Sequence, residues 1–235
     1  MKMTKHGGNL VQLTRFPLLF PVNVFLVREE DGFTLIDAAV SGSAPAIIKA
    51  ANALNGEIVR LALTHAHSDH IGSLDALIAA LPNAELAMSA ETARLLAEDR
   101  EAKARKAPDK APPALNPRVL SPGARVGSLE VVAAPGHSID QIAFLDARDR
   151  TLIAGDAFQT RGGMAVSGTV NWSFPFPAFA TVDKAQALET ARALRALEPA
   201  RLAVGHGDVR TSPSAAMDAA IRVAKAKVQK APAHA

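Results

Sequence analysis

Seven side chains that can bind a metal ion follow apolar segments of this sequence. Four of them fall within six residues: His65, His67, Asp69 and His70. Side chains alternate along an extended chain, so the two histidines that flank Ala66 can point the same way, while the other two residues belong to the following turn. Three more lie far apart in the sequence, each beside a glycine: His137, Asp156 and His206. Neutral imidazoles and carboxylates suit Zn²⁺, Fe, Mn or Co, so this pattern predicts a metal site.

A structural role is the alternative for several of these residues taken alone. A single histidine at the end of a strand, such as His206, is more often part of the packing, and Gly155-Asp156 by itself is typical of a turn. Packing does not explain four potential ligands in six residues after an apolar strand. The chain contains no cysteine, which excludes disulfides, thiolate nucleophiles and Cys-ligated zinc, so nitrogen and oxygen must hold any metal.

Hydrophobic periodicity and turn residues predict the elements that position these side chains. The predicted strands are 22–27, 33–37, 58–64, 84–88, 129–133, 142–145, 151–154 and 201–204. The predicted helices are one capped by Ser43 that ends near Leu54, one after His70, 90–97, 182–197 and a last one with Met217, Ala220, Ile221, Ala224 and Val228 on one face. Strands in both halves, each followed by helices, predict two face-to-face β-sheets with helices outside, an α/β fold.

Composition and charge limit the classes of function that fit this chain. A length of 235 residues, of which 49% are hydrophobic and 21% charged, predicts one globular domain over 1–235. The stretch 98–118, rich in charge and proline, is predicted to be an exposed excursion that either covers the site or only connects two elements. A net charge of +3 argues against a nucleic-acid partner, and the sequence shows neither a signal peptide nor a membrane span. We therefore expect a cytoplasmic enzyme with a small-molecule substrate.

The segment Thr64-His65-Ala66-His67-Ser68-Asp69-His70 resembles the HxHxDH signature of the metallo-β-lactamase superfamily. His137, Asp156 and His206 follow in the order that this family uses, and Leu35-Ile36-Asp37 resembles an early motif whose aspartate supports the metal loop. The resemblance implies an αβ/βα sandwich of four layers and two divalent ions, with zinc favoured. It assigns the first ion to His65, His67 and His137, the second to Asp69, His70 and His206, and a bridging position to Asp156.

The same resemblance implies a hydrolytic mechanism. Two metal ions about 3.5–4 Å apart lower the pKa of a bridging water, which yields hydroxide near neutral pH. That hydroxide attacks a carbonyl carbon, the metal ions stabilise the developing negative charge, and Asp69 acts as the catalytic residue that orients the nucleophile and moves its proton.

The substrate is a separate question, because this fold and metal site serve many reactions. A dedicated β-lactamase is disfavoured because those enzymes carry export signals and differ at the position of Asp156. Glyoxalase-II-like thioesterases usually add a helical domain, whereas only 29 residues follow His206 here. RNA-processing phosphodiesterases carry further motifs, and flavodiiron proteins have an acidic residue where this chain has Ser68.

A lactone or carboxylic ester is the favoured substrate, because length and ligand set resemble the acyl-homoserine-lactone lactonases. One departure is that those enzymes often use an active-site tyrosine, and this chain has none. A persulfide-dioxygenase-like mononuclear iron enzyme stays an alternative. Five residues in the segment 158–179 are predicted to wall the substrate site, or else to fill the core beneath a loop: Phe158, Met164, Trp172, Phe174 and Phe176.

Overall fold

The computed structural model describes residues 1–106, 112 and 114–230. Seven strands of the first half form one sheet in sequential order: β1 (Lys2–His6), β2 (Leu10–Arg15), β3 (Val22–Glu29), β4 (Gly32–Ile36), β5 (Ile58–Ala62), β6 (Glu85–Ser89) and β7 (Arg118–Leu120). Strands β1 to β4 are antiparallel, and β4 to β7 are parallel. The carboxyl ends of β4, β5 and β6 therefore share one edge of this sheet.

A second sheet of six strands faces the first, in the order β15-β14-β11-β10-β9-β8. Its strands are β8 (Arg125–Val126), β9 (Leu129–Ala133), β10 (Ile142–Asp146), β11 (Thr151–Ile153), β14 (Arg201–Ala203) and β15 (Arg210–Thr211). Its one parallel pair is β11 with β14, so these two strands end side by side. Between them in sequence lies the small hairpin of β12 (Phe158–Gln159) and β13 (Ala165–Val166).

Seven helices complete the part of the chain that the structure describes: α1 (Ala44–Ala53), α2 (Ser68–Ile71), α3 (Leu74–Ala80), α4 (Ala90–Lys106), α5 (Phe176–Phe179), α6 (Lys184–Ala196) and α7 (Ser214–Lys230). Side chains of α1, α3 and α4 pack on the outer face of the seven-stranded sheet. Those of α6 and α7 pack on the outer face of the six-stranded sheet. No helix in these residues is long and apolar enough to cross a membrane.

Alternation along the strands builds the layers between which these elements pack. In β3, Val24 and Leu26 belong to the helix-facing core, whereas Phe25 and Val27 belong to the core between the two sheets. The inter-sheet core also contains Phe144 of β10. Because side chains of a strand alternate between its faces, each sheet has two buried surfaces. This arrangement confirms the predicted four-layer αβ/βα sandwich.

Several elements differ from the sequence-based predictions. The predictions omitted β1, whose residues are mostly exposed, and β2, where the polar residues Gln12 and Thr14 interrupt the apolar pattern. Gln12 and Thr14 are buried and hydrogen-bonded. Helix α4 ends at Lys106 rather than near 97, so the excursion 98–118 begins as helix and ends in β7, while its residues 107–111 and 113 lie outside the described residues. Ser43 precedes α1 as predicted, but its side chain makes no capping hydrogen bond.

Candidate metal centre

All seven predicted metal-binding side chains meet at one edge of the sandwich. They follow the carboxyl ends of β5, β9, β11 and β14, where loops from both sheets come together. Their potential ligand atoms form three overlapping groups, each within 4.8 Å: His65, His67 and His137; His65, His70 and Asp156; and Asp69, His70 and His206. The six-residue motif thus meets the three distant residues, although nothing in its spacing required that.

The first group places three imidazole nitrogens against one another. His67 Nδ1 lies 3.1 Å from His65 Nε2 and 3.0 Å from His137 Nε2. The rings of His65 and His137 are buried, and His67 faces a cavity. A hydrogen bond between two imidazole nitrogens needs one proton. His67 Nδ1 can carry only one, so it cannot donate to both neighbouring nitrogens.

Asp156 connects the two halves of the cluster. Its Oδ2 lies 3.1 Å from His206 Nε2 and 3.5 Å from His137 Nε2, while its Oδ1 lies 3.4 Å from His70 Nε2. On the other side of His206, Asp69 Oδ2 lies 3.2 Å from the same Nε2. A carboxylate within reach of both histidine groups has the position that a bridging ligand needs.

Hydrogen bonds on the outer side of four rings fix which nitrogen faces the cluster. His70 Nδ1 lies 2.8 Å from Asp37 Oδ2, and His206 Nδ1 lies 2.8 Å from the carbonyl oxygen of Pro21, so both Nδ1 atoms donate. His65 Nδ1 contacts the Thr64 hydroxyl, and His137 Nδ1 contacts the Thr181 hydroxyl. Both hydroxyls donate elsewhere, to Asp37 and to the carbonyl of Pro177.

It follows that these two hydroxyls accept from the rings, and that all four rings turn Nε2 toward the cluster. Two buried atoms there have no hydrogen-bond partner: His70 Nε2 and Asp156 Oδ1. Buried polar atoms of this kind are rare without a bound group. The donor set, five imidazoles and two carboxylates, fits divalent transition metals.

The charge distribution agrees with that fit. Burial lowers the pKa of His65 well below its ordinary value and takes that of His137 to about 4, so these rings are neutral and able to bind metal. Burial also opposes protonation of His206, but Asp156 and Asp69 outweigh it and raise its pKa to about 9. Protons therefore collect where carboxylates dominate, at the position that a cation would take.

Asp37, predicted to support the metal loop, contacts two parts of that loop. Its Oδ1 accepts the Thr64 N–H at 2.7 Å, and its Oδ2 accepts the Thr64 hydroxyl as well as His70 Nδ1. Asp37 has a φ of 64°, a left-handed conformation that aspartate and asparagine tolerate better than most residues. The bend turns its carboxylate from the end of β4 toward the neighbouring loop.

Two buried positioning residues escaped the sequence-based prediction: Asn23 in β3 and Asp140 in the loop after His137. Asn23 donates to carbonyls on both sides of His206, and Asp140 accepts the N–H of Ala66. A signal was present for the first, because an asparagine inside the run Val22-Asn23-Val24 is unusual in a buried strand. Asp140 has no comparable local signal, because its partners lie 48 to 74 residues away.

A cavity of about 330 Å³ opens beside the cluster. Its walls outside the candidate ligands are Phe20, Ser68, Phe176, Pro177 and Ala180. The rings of Phe20, Phe174 and Phe176 contact one another with centroids 5.0 to 5.3 Å apart, and Phe174 also contacts the ring of His206. Phe20 was not predicted from the sequence, because it comes from the loop between β2 and β3.

The structure places three of the five predicted substrate-wall residues away from the cluster. Phe158 is fully buried in the helix-facing core of the six-stranded sheet, where it cannot meet a substrate. Met164 and Trp172 border a different groove, against α7. Of the two predicted roles, a substrate wall or core packing beneath a loop, Phe158 has the second, because the β12–β13 hairpin turns the first part of the segment away from the cluster. Phe174 and Phe176 lie beside the cluster, and their substrate role stays a prediction.

Comparison with known proteins agrees with this geometry. A sequence profile of the metallo-β-lactamase superfamily matches residues 18–206, a range that includes all seven candidate ligands. YobT, an uncharacterized protein of Bacillus subtilis (strain 168), is 47% identical over 232 residues, which cover 96% of this chain and 99% of YobT. The probable metallo-hydrolase YflN of the same strain is 27% identical over 213 residues, covering 79% of this chain and 80% of YflN.

Two solved structures resemble this chain in fold. TTHA1623 in a di-iron-bound form is 26% identical, with a TM-score of 0.65 over 86% of this chain and 95% of that one. The DIM-1 metallo-β-lactamase is 17% identical, with a TM-score of 0.73 over 96% of this chain and 97% of that one. At this lower identity the likeness extends to the fold alone.

Proposed function

Since the chain belongs to the metallo-β-lactamase superfamily, we propose that it is a hydrolase with two divalent metal ions, zinc favoured, that acts on lactones or carboxylic esters. One observation carries the proposal: two sets of inward-facing nitrogen and oxygen atoms share Asp156 between them. The first ion would be held by His65, His67 and His137, the second by Asp69, His70 and His206, with Asp156 between them.

Two such ions, when bound, lower the pKa of water and offset negative charge on a substrate oxygen. The protein residues supply position and proton transfer. Asp69 is partly exposed and lines the cavity, so its carboxylate can accept a proton from water and return it to a leaving group. Asp156 also borders the cavity but is only 3% exposed, which suits a structural ligand better than a proton carrier.

The cavity walls support a neutral carbonyl substrate. Among the described residues that line it, those outside the candidate ligands carry no charge. A phosphodiester, a glutathione thioester and a β-lactam all bear an anionic group that favours a cationic partner. Phe20 and Phe176 instead offer apolar surface to an acyl or ring portion.

The proposed function is tested by metal reconstitution followed by a substrate screen. The chain is stripped with a chelator, loaded with Zn²⁺, Mn²⁺, Co²⁺ or Fe²⁺, and assayed on lactones, aryl esters, thioesters, a chromogenic cephalosporin and a bis-aryl phosphate. We expect two ions per chain and the highest kcat/KM on a lactone or aryl ester, with metal salts alone as the control for background hydrolysis.

Two other outcomes would replace the proposal. Highest kcat/KM on a thioester indicates a glyoxalase-II-like enzyme. One iron per chain, with oxygen consumed in the presence of glutathione persulfide, indicates a mononuclear dioxygenase. Iron is included in the screen because TTHA1623, at 26% identity, is described in a di-iron-bound form.

A further inference from the structure

We infer that separate positioning residues hold the two halves of the metal centre: Asp140 holds the half with His65 and His67, and Asn23 holds the half with His206. The inference rests on the proposed two-ion function and goes beyond it, because it predicts that the two ions can be loosened independently. Neither residue faces the cavity, so each would act through the backbone of a ligand-bearing loop.

Asp140 joins the loops that carry the first three histidines. Asp140 is 3% exposed, and its Oδ2 accepts the N–H of Ala66 at 2.8 Å, in the backbone between His65 and His67. Asp140 itself lies three residues after His137, so one side chain ties all three ligands together. From α4, the Thr92 hydroxyl donates to the same Oδ2 at 2.8 Å.

Asn23 holds the loop of His206 from both sides. Asn23 is 1% exposed, and its Nδ2 donates to the carbonyls of Val204 at 2.8 Å and Gly207 at 2.7 Å. The Asn23 backbone N–H donates to the carbonyl of Gly205 at 2.9 Å. The Thr14 hydroxyl donates to Asn23 Oδ1 at 2.8 Å, which orients the amide with its N–H groups toward the loop.

The two sets of contacts have no residue in common. Asp140 is bonded to the backbone of Ala66 and to Ser89 and Thr92 on the α4 side, whereas Asn23 is bonded to Thr14 and to residues 204–207. Loss of a buried hydrogen-bond partner leaves the remaining group unsatisfied and frees the segment that it held. Each substitution should therefore loosen one half of the centre.

The experiment measures zinc binding by chelator competition and counts bound ions by native mass spectrometry. In Asp140→Ala and in Asn23→Ala we expect one ion to bind about 10–100-fold more weakly, the usual effect of losing a residue that supports a ligand, while the other ion keeps its affinity. Asp140→Asn retains an acceptor oxygen and should stay near wild type. Asn23→Asp keeps the shape but removes both donors, so it should behave like the alanine variant.

Two matched controls separate positioning from general stability. Asp146 is equally buried at the end of β10, but it holds Arg148. Asn171 also donates to backbone carbonyls, those of residues 161–163. Asp146→Ala and Asn171→Ala should lower the thermal stability of the metal-free chain and leave both zinc affinities unchanged.

Double variants identify the ion that is lost. In Asp140→Ala, an added His206→Ala should remove the remaining ion, whereas an added His67→Ala should leave it. If an alanine variant does not fold, Thr92→Val and Thr14→Val each remove one bond to the same positioning residues and should weaken one ion by about two- to tenfold.

Three results are decisive. Equal weakening of both ions by either variant overturns the inference, as does a fall in stability with no change in zinc affinity. Both results leave the proposed function intact, provided that the wild-type chain binds two ions. A wild-type chain that binds a single ion contradicts the proposed function itself, and the inference with it.

Discussion

The two sheets contribute to the candidate metal centre in different ways. The seven-stranded sheet supplies four side chains from one loop after β5, within six residues. The six-stranded sheet supplies three side chains from three loops, after β9, β11 and β14. Each of those three loops contains a glycine directly before the ligand, and at Gly136 and Gly155 the backbone φ is positive.

This difference separates local from long-range information. The ligands of the loop after β5 lie together in its own sequence, although Asp37 and Asp140 hold its backbone from other loops. The three loops of the other sheet reach the cluster only when β11 and β14 pair and the two sheets pack. Their glycines permit conformations and close contacts that a Cβ would prevent. Single substitutions can disrupt one of these contributions at a time.

The largest effect is expected at Asp156, where the two contributions meet. Asp156→Ala removes the carboxylate that lies within 3.5 Å of His70, His137 and His206. Metal content should fall below two ions per chain, and turnover should fall on the order of 10²–10³-fold or more, because the charge that balances the cations is lost. Elemental analysis and steady-state assays measure both. Unchanged metal stoichiometry would contradict the bridging role.

Adding one methyl group at Gly205 tests how closely the loop after β14 packs against the metal centre. A Cβ on Gly205 would lie 2.1 Å from Asp156 Oδ1 and 2.8 Å from His70 Cε1, so Gly205→Ala must displace one of these groups. Zinc affinity should fall by about 10–100-fold, as for other changes that misplace a ligand. Gly8→Ala is the matched control, because nothing lies within 4 Å of its added Cβ. Equal zinc affinities in the two variants would show that the centre relaxes around the methyl group.

The loop after β5 is tested at its support. Asparagine tolerates the left-handed backbone of Asp37, so Asp37→Asn changes the side-chain chemistry with little added strain. An amide has one acceptor oxygen where the carboxylate has two, so at least one of the bonds from Thr64 and His70 is lost, and we expect about tenfold weaker zinc binding at the His70 half. Calorimetric zinc titration measures it. The loss at the His65 half should be smaller, because Asp37 reaches His65 only through the N–H and hydroxyl of Thr64. Unchanged zinc binding at the His70 half would contradict the supporting role.

The same contrast explains what was predictable from the sequence. The motif 65–70 and the alternation of the core strands were readable because each depends on residue types at short spacing, whereas the distant ligands were assigned through the family resemblance. Asp140 was not, because its partners come from distant strands and helices. Strand β1 was missed because its residues are mostly exposed, which leaves no alternating apolar pattern.

The residues of the predicted substrate wall are divided among several sites for a related reason. Aromatic residues in 158–179 were grouped by their nearness in sequence, whereas the β12–β13 hairpin distributes them between a core, a separate groove and the cavity. Burial is a property of the tertiary fold, so residue type alone does not separate a pocket wall from a core. Phe20 reaches the cavity from the opposite sheet.

The smallest expected effect distinguishes the two faces of that segment. Phe176 is 53% exposed and lines the cavity beside the cluster, whereas Trp172 is 84% exposed and borders the groove against α7. For an ester with an apolar acyl group, Phe176→Ala should raise KM about three- to tenfold with little change in kcat, because it removes apolar contact made equally in the bound and transition states. Trp172→Ala should leave both constants unchanged. An equal rise in KM for both variants, measured on one ester series of increasing chain length, would mean that the segment covers the cavity as a unit, since Trp172 can reach an acyl group only if the segment moves toward the cluster.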